Sequence, residues 1–373
     1  MKILIIGPFP FPIYGVSLSN MVLTNGLLSK GYKVKVINTA SGSVIDSNIG
    51  GWSFRKLSFL KTYLSFFKVF QSDVIYCTTG QTFFGILKYA PFILCARALN
   101  KTTIVHVKGG YLKTSYELMS GLKKKISKSI LSSYSGGIVL SKSLKPLLAD
   151  FLPENKIFIQ HNFIQDSLII PVNEIIEQKT FKSLRLIFLS NLMEEKGVLE
   201  LLDAFDILNQ KNINFQARFA GHIPSDQQRL LSRMEKMNNV EYIGVVQNSE
   251  KTKLLSWGNV FCLPTYYPME GQPISILEAM GFGNVIVTTK HAGIPDVCSD
   301  QNALFVEKRD VNSIVSQIMF LSTSLSWLEQ TSLFNLKQAR ELYTEEAFIS
   351  GILKIMKSLS VINNRNFRTI KDH

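Results

Sequence analysis

The sequence predicts an α/β protein built from two Rossmann-like, doubly wound parallel-sheet domains that face each other across a cleft. Three observations predict it. Short apolar runs alternate with amphipathic stretches along the chain. The alternation occurs as two series, separated by a segment of weak periodicity. A length of 373 residues is also long for a single hydrophobic core.

In the first series, strands are expected at 2–6 (KILII), 33–37 (KVKVI), 73–77 (DVIYC), 103–107 (TIVHV) and 136–140 (GGIVL). Such short apolar runs suit strands buried on both faces. Helices are expected near 16–29, 54–71, 82–98, 117–133 and 142–150. Residues 165–183, with Pro171, read as a linker. The second series has strands at 185–190, 214–220, 240–243, 259–263 and 284–288. Its helices are expected at 197–209, 225–237, 249–256, 273–281 and 310–342. The domains are thus expected at 1–167 and 184–343. In 344–373, a helix over 344–360 packs back toward the first domain, and a basic tail, 361–373, frays.

Composition narrows the function. Hydrophobic residues make up 46% of the chain, so it folds. Net charge is +13, unevenly placed. Residues 1–170 hold 20 Lys+Arg against 6 Asp+Glu, and the remainder 21 against 22. The basic half points to an anionic partner. The cysteines, Cys77, Cys95, Cys262 and Cys298, form no C-x-x-C pair and read as buried thiols. The N-terminal apolar run is too short and proline-broken for a signal peptide. Phe83–Leu99 carries Lys88, Pro91 and Arg97 and does not suit a membrane span. The expectation is a cytoplasmic protein without a transmembrane anchor.

Ligands of parallel sheets bind outside the carboxyl ends of the strands. The densest polar cluster there runs from Pro264 to Met280, PTYYPMEGQPISILEAM. Pro273 suits the first position of a helix, whose opening N–H groups around Ile274–Ile276 suit a phosphate. Gly271 lets the backbone approach a ligand. Glu270 precedes the helix and Glu278 lies inside it. Carboxylates accept paired hydrogen bonds from sugar and ribose hydroxyls.

The string EGQPISILEAMGFGNV resembles the E-x7-E signature of retaining glycosyltransferase family 4 (glycosyl transferases group 1), which has the two-domain GT-B fold. Ser190–Gly197 (SNLMEEKG) resembles that family's G-R-L-x-x-E-K-G turn. Ala292–Asp296 (AGIPD) resembles its G-G-x-P-E loop. Gly7-Pro8 with Gly15-Val16 resembles its N-terminal glycine loop. The resemblance spans nearly the whole chain and is strongest from about residue 185 to residue 310.

The resemblance implies a metal-independent, retaining enzyme that moves a sugar from a nucleotide-diphosphate donor, a UDP- or GDP-sugar, with no other cofactor. Glu270 is then expected on donor-sugar hydroxyls and Glu278 on the ribose. Lys196 would neutralise the leaving diphosphate, and amides of Gly271, Gln272, Pro273, Ile274 and Ser275 would frame sugar and phosphate. (Pro273 itself lacks an amide hydrogen.) Gly15 and Val16 complete the donor set. Asn191 stands where the family carries an arginine that shares the leaving-group charge. Arg218 lies mid-strand and is a poor substitute. Retention implies attack on the face the phosphate leaves, so Glu270 is not a glycosidase-type nucleophile.

On the acceptor side, His106 ends a predicted strand where the family often has a histidine. His161 and His291 also follow strands but are ranked below it. Residues 54–70 contain Arg55, Lys56, Lys61 and Lys68 and no acid, with Phe59, Tyr63, Phe66, Phe67 and Phe70 at helical spacing. Residues 111–130 carry Lys113, Lys123, Lys124, Lys125 and Lys128 against Glu117 alone. Such segments suit an anionic membrane surface, and hence a glycan or lipid-linked acceptor in bacterial surface-polysaccharide assembly. The alternative is that the aromatic face packs on the sheet.

Residues 7–15 (GPFPFPIYG) do not match the G-x-G-x-x-G of a nicotinamide-dependent dehydrogenase. No zinc or RNP-like pattern supports nucleic-acid binding. A sugar-nucleotide epimerase and a non-catalytic sugar-nucleotide-binding GT-B protein are the competing readings.

Overall fold

The structure, a computed structural model, describes residues 1–40 and 54–371, leaving out the side chains of 54–58, Asp226 and 364–371. Arg55 and Lys56 of the basic segment, and the last two residues of the predicted tail, fall outside what is described.

The chain divides into two compact units. One comprises Met1–Asn162 with the chain from Glu346 onward, and the other Phe163–Glu345. In the first, six strands form one parallel sheet: β1 (Lys2–Gly7), β2 (Lys33–Asn38), β3 (Val74–Cys77), β4 (Thr102–Val107), β5 (Gly136–Val139) and β6 (Ile157–Ile159), ordered β2-β1-β3-β4-β5-β6. Ile3, Leu4, Ile5 and Ile6 of β1 are all fully buried, as central strands covered on both faces require.

The second unit repeats the plan with β7 (Leu184–Leu189), β8 (Phe215–Ala220), β9 (Val240–Tyr242), β10 (Val260–Leu263), β11 (Val285–Thr289) and β12 (Ala303–Val306). Their order is β12-β11-β10-β7-β8-β9, again all parallel. Strand order reverses between β7 and β10, which makes their carboxyl ends the expected ligand position. The strands β6 and β12 were not expected from sequence. Both are short edge strands with little apolar alternation.

Several predicted helices are broken. The stretch 82–98 is two helices, Phe83–Leu87 and Ala90–Ala98, with Pro91 opening the second. The stretch 117–133 is Leu112–Glu117 and Gly121–Leu131, with Gly121 at φ +53° between them. The expected helix near 142–150 is a 3₁₀ turn, Lys142–Leu147, shortened by Pro146, and Phe54–Lys68 is also 3₁₀. Residues 225–237 hold only a 3₁₀ turn and the helix Arg229–Met234. The long stretch 310–342 breaks at Ser324.

Residues 165–183 are not a free linker. Helix Val172–Gln178 buries Ile175, and the turn before it buries Leu168, both in the second unit's core. The Lys179 ammonium donates to the carbonyls of Leu255 and Gly258 and to Asn284 Oδ1. Burial holds its pKa well below the usual lysine value. One inward isoleucine per short helix left too little periodicity to read.

The C-terminal helix runs Glu345–Lys371, well past the expected end at 360. It buries Phe348, Ile352, Met356 and Leu359 in the first unit. Gly26 and Gly136 lie where a Cβ would collide with Ile349 and Leu359.

Candidate active site

The loops after β7 and β10 interlock. After β7 the chain makes a 3₁₀ turn, Glu194–Lys196, and leaves it through Gly197 at φ +78°. A Cβ on Gly197 would run into the Pro264 carbonyl, so glycine is required by both conformation and space. Tyr266 N donates to Glu195 O at 2.8 Å, and Thr265 Oγ1 reaches the same carbonyl at 3.3 Å.

This clasp places Lys196 Nζ 2.5 Å from Glu270 Oε2, with side chains only 12% and 10% exposed. Thr265 Oγ1 donates to the same carboxylate oxygen at 3.2 Å. The ammonium also lies 4.8 Å from the centroid of the Tyr267 ring. Two residues predicted from separate motifs, 74 positions apart, thus form one pair. In it the lysine cation already has a carboxylate partner, which a donor phosphate would have to replace.

His291, ranked low from sequence, belongs to this cluster. Its Nε2 is 2.8 Å from the Tyr267 carbonyl, which can only accept, so Nε2 carries the proton. Nδ1 then accepts from Lys308 Nζ at 3.0 Å. Burial, and after it the Lys308 charge, push the His291 pKa down, while Glu270 pulls it up and Lys196 down. His291 therefore sits neutral within the field of the Lys196–Glu270 pair, with a second ammonium behind it. Nothing marked Lys308 in the sequence, because it approaches through β12, a strand the pattern did not reveal.

Gly271, Gln272 and Pro273 are buried, and Ile274 and Ser275 half-buried. The helix begins at Ile274, one residue later than expected, with Pro273 as its cap. Of its opening N–H groups, that of Ile276 donates to the Pro273 carbonyl at 3.2 Å. The Gly271 carbonyl accepts from Gly293 N at 2.8 Å, which ties this turn to the loop after β11.

Glu278 has partners of its own. It is 1% exposed, with Oε2 2.6 Å from Lys251 Nζ and Oε1 accepting from Gln165 Nε2 at 2.8 Å. Both oxygens expected to meet a ribose are engaged inside the second unit. The sequence showed neither partner, since each comes from a distant element.

Asn191 follows β7, and its carbonyl accepts from Met193 N at 2.8 Å. Arg218 stacks on Trp257 at 4.2 Å and pairs with Glu241 at 2.8 Å, in keeping with its exclusion as the missing arginine.

In the first unit, Gly15 and Val16 open helix Gly15–Ser29. The loop before it is locked by buried Asn20, whose Nδ2 donates to Pro8 O at 2.9 Å and Thr78 Oγ1 at 2.8 Å. A Cβ on Gly7 would strike both Asn20 and Thr78.

His106 is not exposed at a strand end. It lies within β4, fully buried, with Nδ1 2.5 Å from the hydroxyl of Tyr76 on the neighbouring strand. Burial, with Lys108 second, holds its pKa well down, so the ring is neutral. Its Nε2 is buried without a hydrogen-bond partner among the described residues. All six residues of β4 are buried, so a side chain on either face of this strand is enclosed. Of the four cysteines expected to be buried, Cys77, Cys262 and Cys298 are, and burial raises the Cys262 and Cys298 thiols to about 12, whereas Cys95 is only half-buried.

Residues 183–324 match the family described as "Glycosyl transferases group 1". WcaL of Escherichia coli K12, named as a glycosyltransferase of colanic acid biosynthesis, is 27% identical over 37% of this chain and 36% of its own length. The chain's match therefore spans about a third of that relative. A subunit of an Arabidopsis thaliana phosphatidylinositol N-acetylglucosaminyltransferase is 24% identical over 82% of this chain and 71% of its own length. Among solved structures, sucrose-phosphate synthase from Thermosynechococcus elongatus superposes with a TM-score of 0.76 at 14% identity, over 97% of this chain and 100% of that one. Anabaena HepE, solved with UDP, does so with a TM-score of 0.72 at 16% identity, over 96% of this chain and 100% of that one. Residues 183–324, which carry Lys196, Glu270 and Glu278, thus match a glycosyl transferases group 1 domain, in a chain with the GT-B fold.

Proposed function

We propose that the protein transfers a sugar from a nucleotide-diphosphate donor to a glycan or lipid-linked acceptor during assembly of a bacterial surface polysaccharide. The observation that carries this reading is the Lys196–Glu270 pair at the β7/β10 switch point, beside a helix N-terminus. The relatives' names and the UDP seen with HepE support it.

In this reading the donor's hydroxyls take over Glu270, and its diphosphate takes over Lys196. Charge developing on the departing phosphate is met by Lys196, by the opening amides of helix Ile274–Gly281, and by the field of the Lys308 ammonium, in the place of the family's arginine. No metal is needed for that task. The acceptor hydroxyl attacks the anomeric carbon on the face the phosphate leaves. The C–O bond to phosphate breaks with its electron pair, and the hydroxyl proton passes to the phosphate, so configuration is retained. Glu270, held by a cation and a hydroxyl, binds and does not attack. Glu278 meets the ribose by exchanging Gln165 or Lys251 for it. The site of action is the cytoplasmic membrane surface.

Incubation of the purified protein with UDP- and GDP-sugars and a membrane extract as acceptor tests this. Wild type should transfer sugar, while Glu270→Gln and Lys196→Ala should lose about a hundredfold or more in rate. Variants as active as wild type would sink the assignment, and conversion of donor without acceptor would favour an epimerase.

A further inference from the structure

One helical layer of the first unit is apolar on its outer side as well as its inner side. The connections β2→β3, β3→β4 and β4→β5 step in the same direction across the sheet, so right-handed crossovers put them all on one face. On the inner side, Phe59 packs against Tyr89, and Tyr63 and Phe66 against Phe92, with centroids 5.4–6.5 Å apart. Three of the five aromatics of 54–70 are thus used in packing, while Phe67 and Phe70 stay exposed.

On the outer side, Leu64 is 81% exposed, Leu118 75%, Leu122 71% and Phe84 51%. Leu118 and Leu122 flank the break between helices Leu112–Glu117 and Gly121–Leu131. Phe84 borders this tip: its ring meets Phe83 at 5.2 Å, and the Lys123 ammonium lies 5.9 Å from the Phe83 centroid. Lys113, Lys123, Lys125 and Lys128 are exposed around it, with Glu117 the single acid of residues 111–130. Isolated surface leucines are ordinary, but large apolar side chains grouped within a ring of lysines are not. A nucleic acid would engage the lysines and leave the leucines in water. An anionic bilayer satisfies both, with acyl chains for one and phosphates for the other.

We infer that this tip is a membrane-docking surface, with Leu118, Leu122 and Phe84 entering the acyl boundary of an anionic leaflet and Lys113, Lys123 and Lys125 on its headgroups. The inference rests on the membrane-surface acceptor proposed above and assigns that contact to particular residues.

Flotation of the full chain with phosphatidylcholine vesicles, with and without phosphatidylglycerol, tests it. Wild type should float with phosphatidylglycerol at low salt and sink without it. Leu118→Ser/Leu122→Ser should partition about tenfold or more weaker. Lys123→Gln/Lys125→Gln should weaken binding and flatten its salt dependence. Both variants should keep the wild-type melting temperature and its stabilisation by UDP or GDP. A leucine variant that floats like wild type overturns this surface while leaving the membrane reading standing. A wild type that never floats overturns both. Loss with the lysine variant alone would show a contact made by charge without acyl insertion, and overturns the part assigned to Leu118 and Leu122.

Discussion

Glu278 depends on Lys251 and Gln165, and Glu270 on Lys196 and Thr265; among the described residues the two glutamates of the motif share no hydrogen-bond or ion-pair partner. Removing one partner of a buried ion pair leaves an uncompensated charge. Lys251→Ala should therefore cost about 3–5 kcal/mol in urea unfolding. A loss within experimental error would mean that the Glu278 carboxylate is reached by water. Lys308 offers a second check. Its charge lowers the His291 pKa, so Lys308→Ala should let that pKa rise toward 6.5, as read by NMR titration. A histidine whose folded pKa is depressed takes up its proton first in the unfolded chain. Stability is therefore lost as pH falls below 6.5, and Lys308→Ala should lose less over that window. Transfer by the variant should fall about tenfold, by loss of one leaving-group cation.

At the scale of elements, the decisive join is the clasp between the loops after β7 and β10. Gly197 and Gly31 both have φ near +80°, at +78° and +81°, but only Gly197 is enclosed, whereas Gly31 has nothing within 4 Å of a would-be Cβ. Gly31→Ala should cost about 1 kcal/mol, from conformation alone. Gly197→Ala should cost clearly more and also reduce transfer, because the displaced turn carries Lys196. Equal losses of stability for the two, measured by chemical denaturation, would show that the clasp is loose.

For the whole molecule, the C-terminal helix completes the first unit although it follows the second in sequence. It brings Phe348, Ile352, Met356 and Leu359, each at most 1% exposed. Each such side chain is worth about 1.5–3 kcal/mol when buried, against the 5–15 kcal/mol of a typical fold. Truncation after Thr344 should therefore remove or sharply lower the first unit's melting transition in calorimetry and leave the second unit's transition in place. Loss of both together would show that the units do not melt independently.

The sequence by itself determined the two parallel-sheet series, because buried parallel strands are apolar throughout and announce themselves locally. It also singled out Glu270 and Glu278, whose motif combines a helix start, a glycine and carboxylates in contiguous residues, and Lys196 from a separate turn; the structure brings Lys196 and Glu270 together. It did not reveal β6, β12 or the anchored helix Val172–Gln178, whose short apolar segments carry too little period. Only the tertiary structure decided who partners whom: Lys196 with Glu270, Lys251 with Glu278, Lys308 with His291, and Tyr76 with a buried His106. Those pairs join residues far apart in the chain, and whether a charge is matched or desolvated depends on what the fold brings against it, which no local pattern encodes.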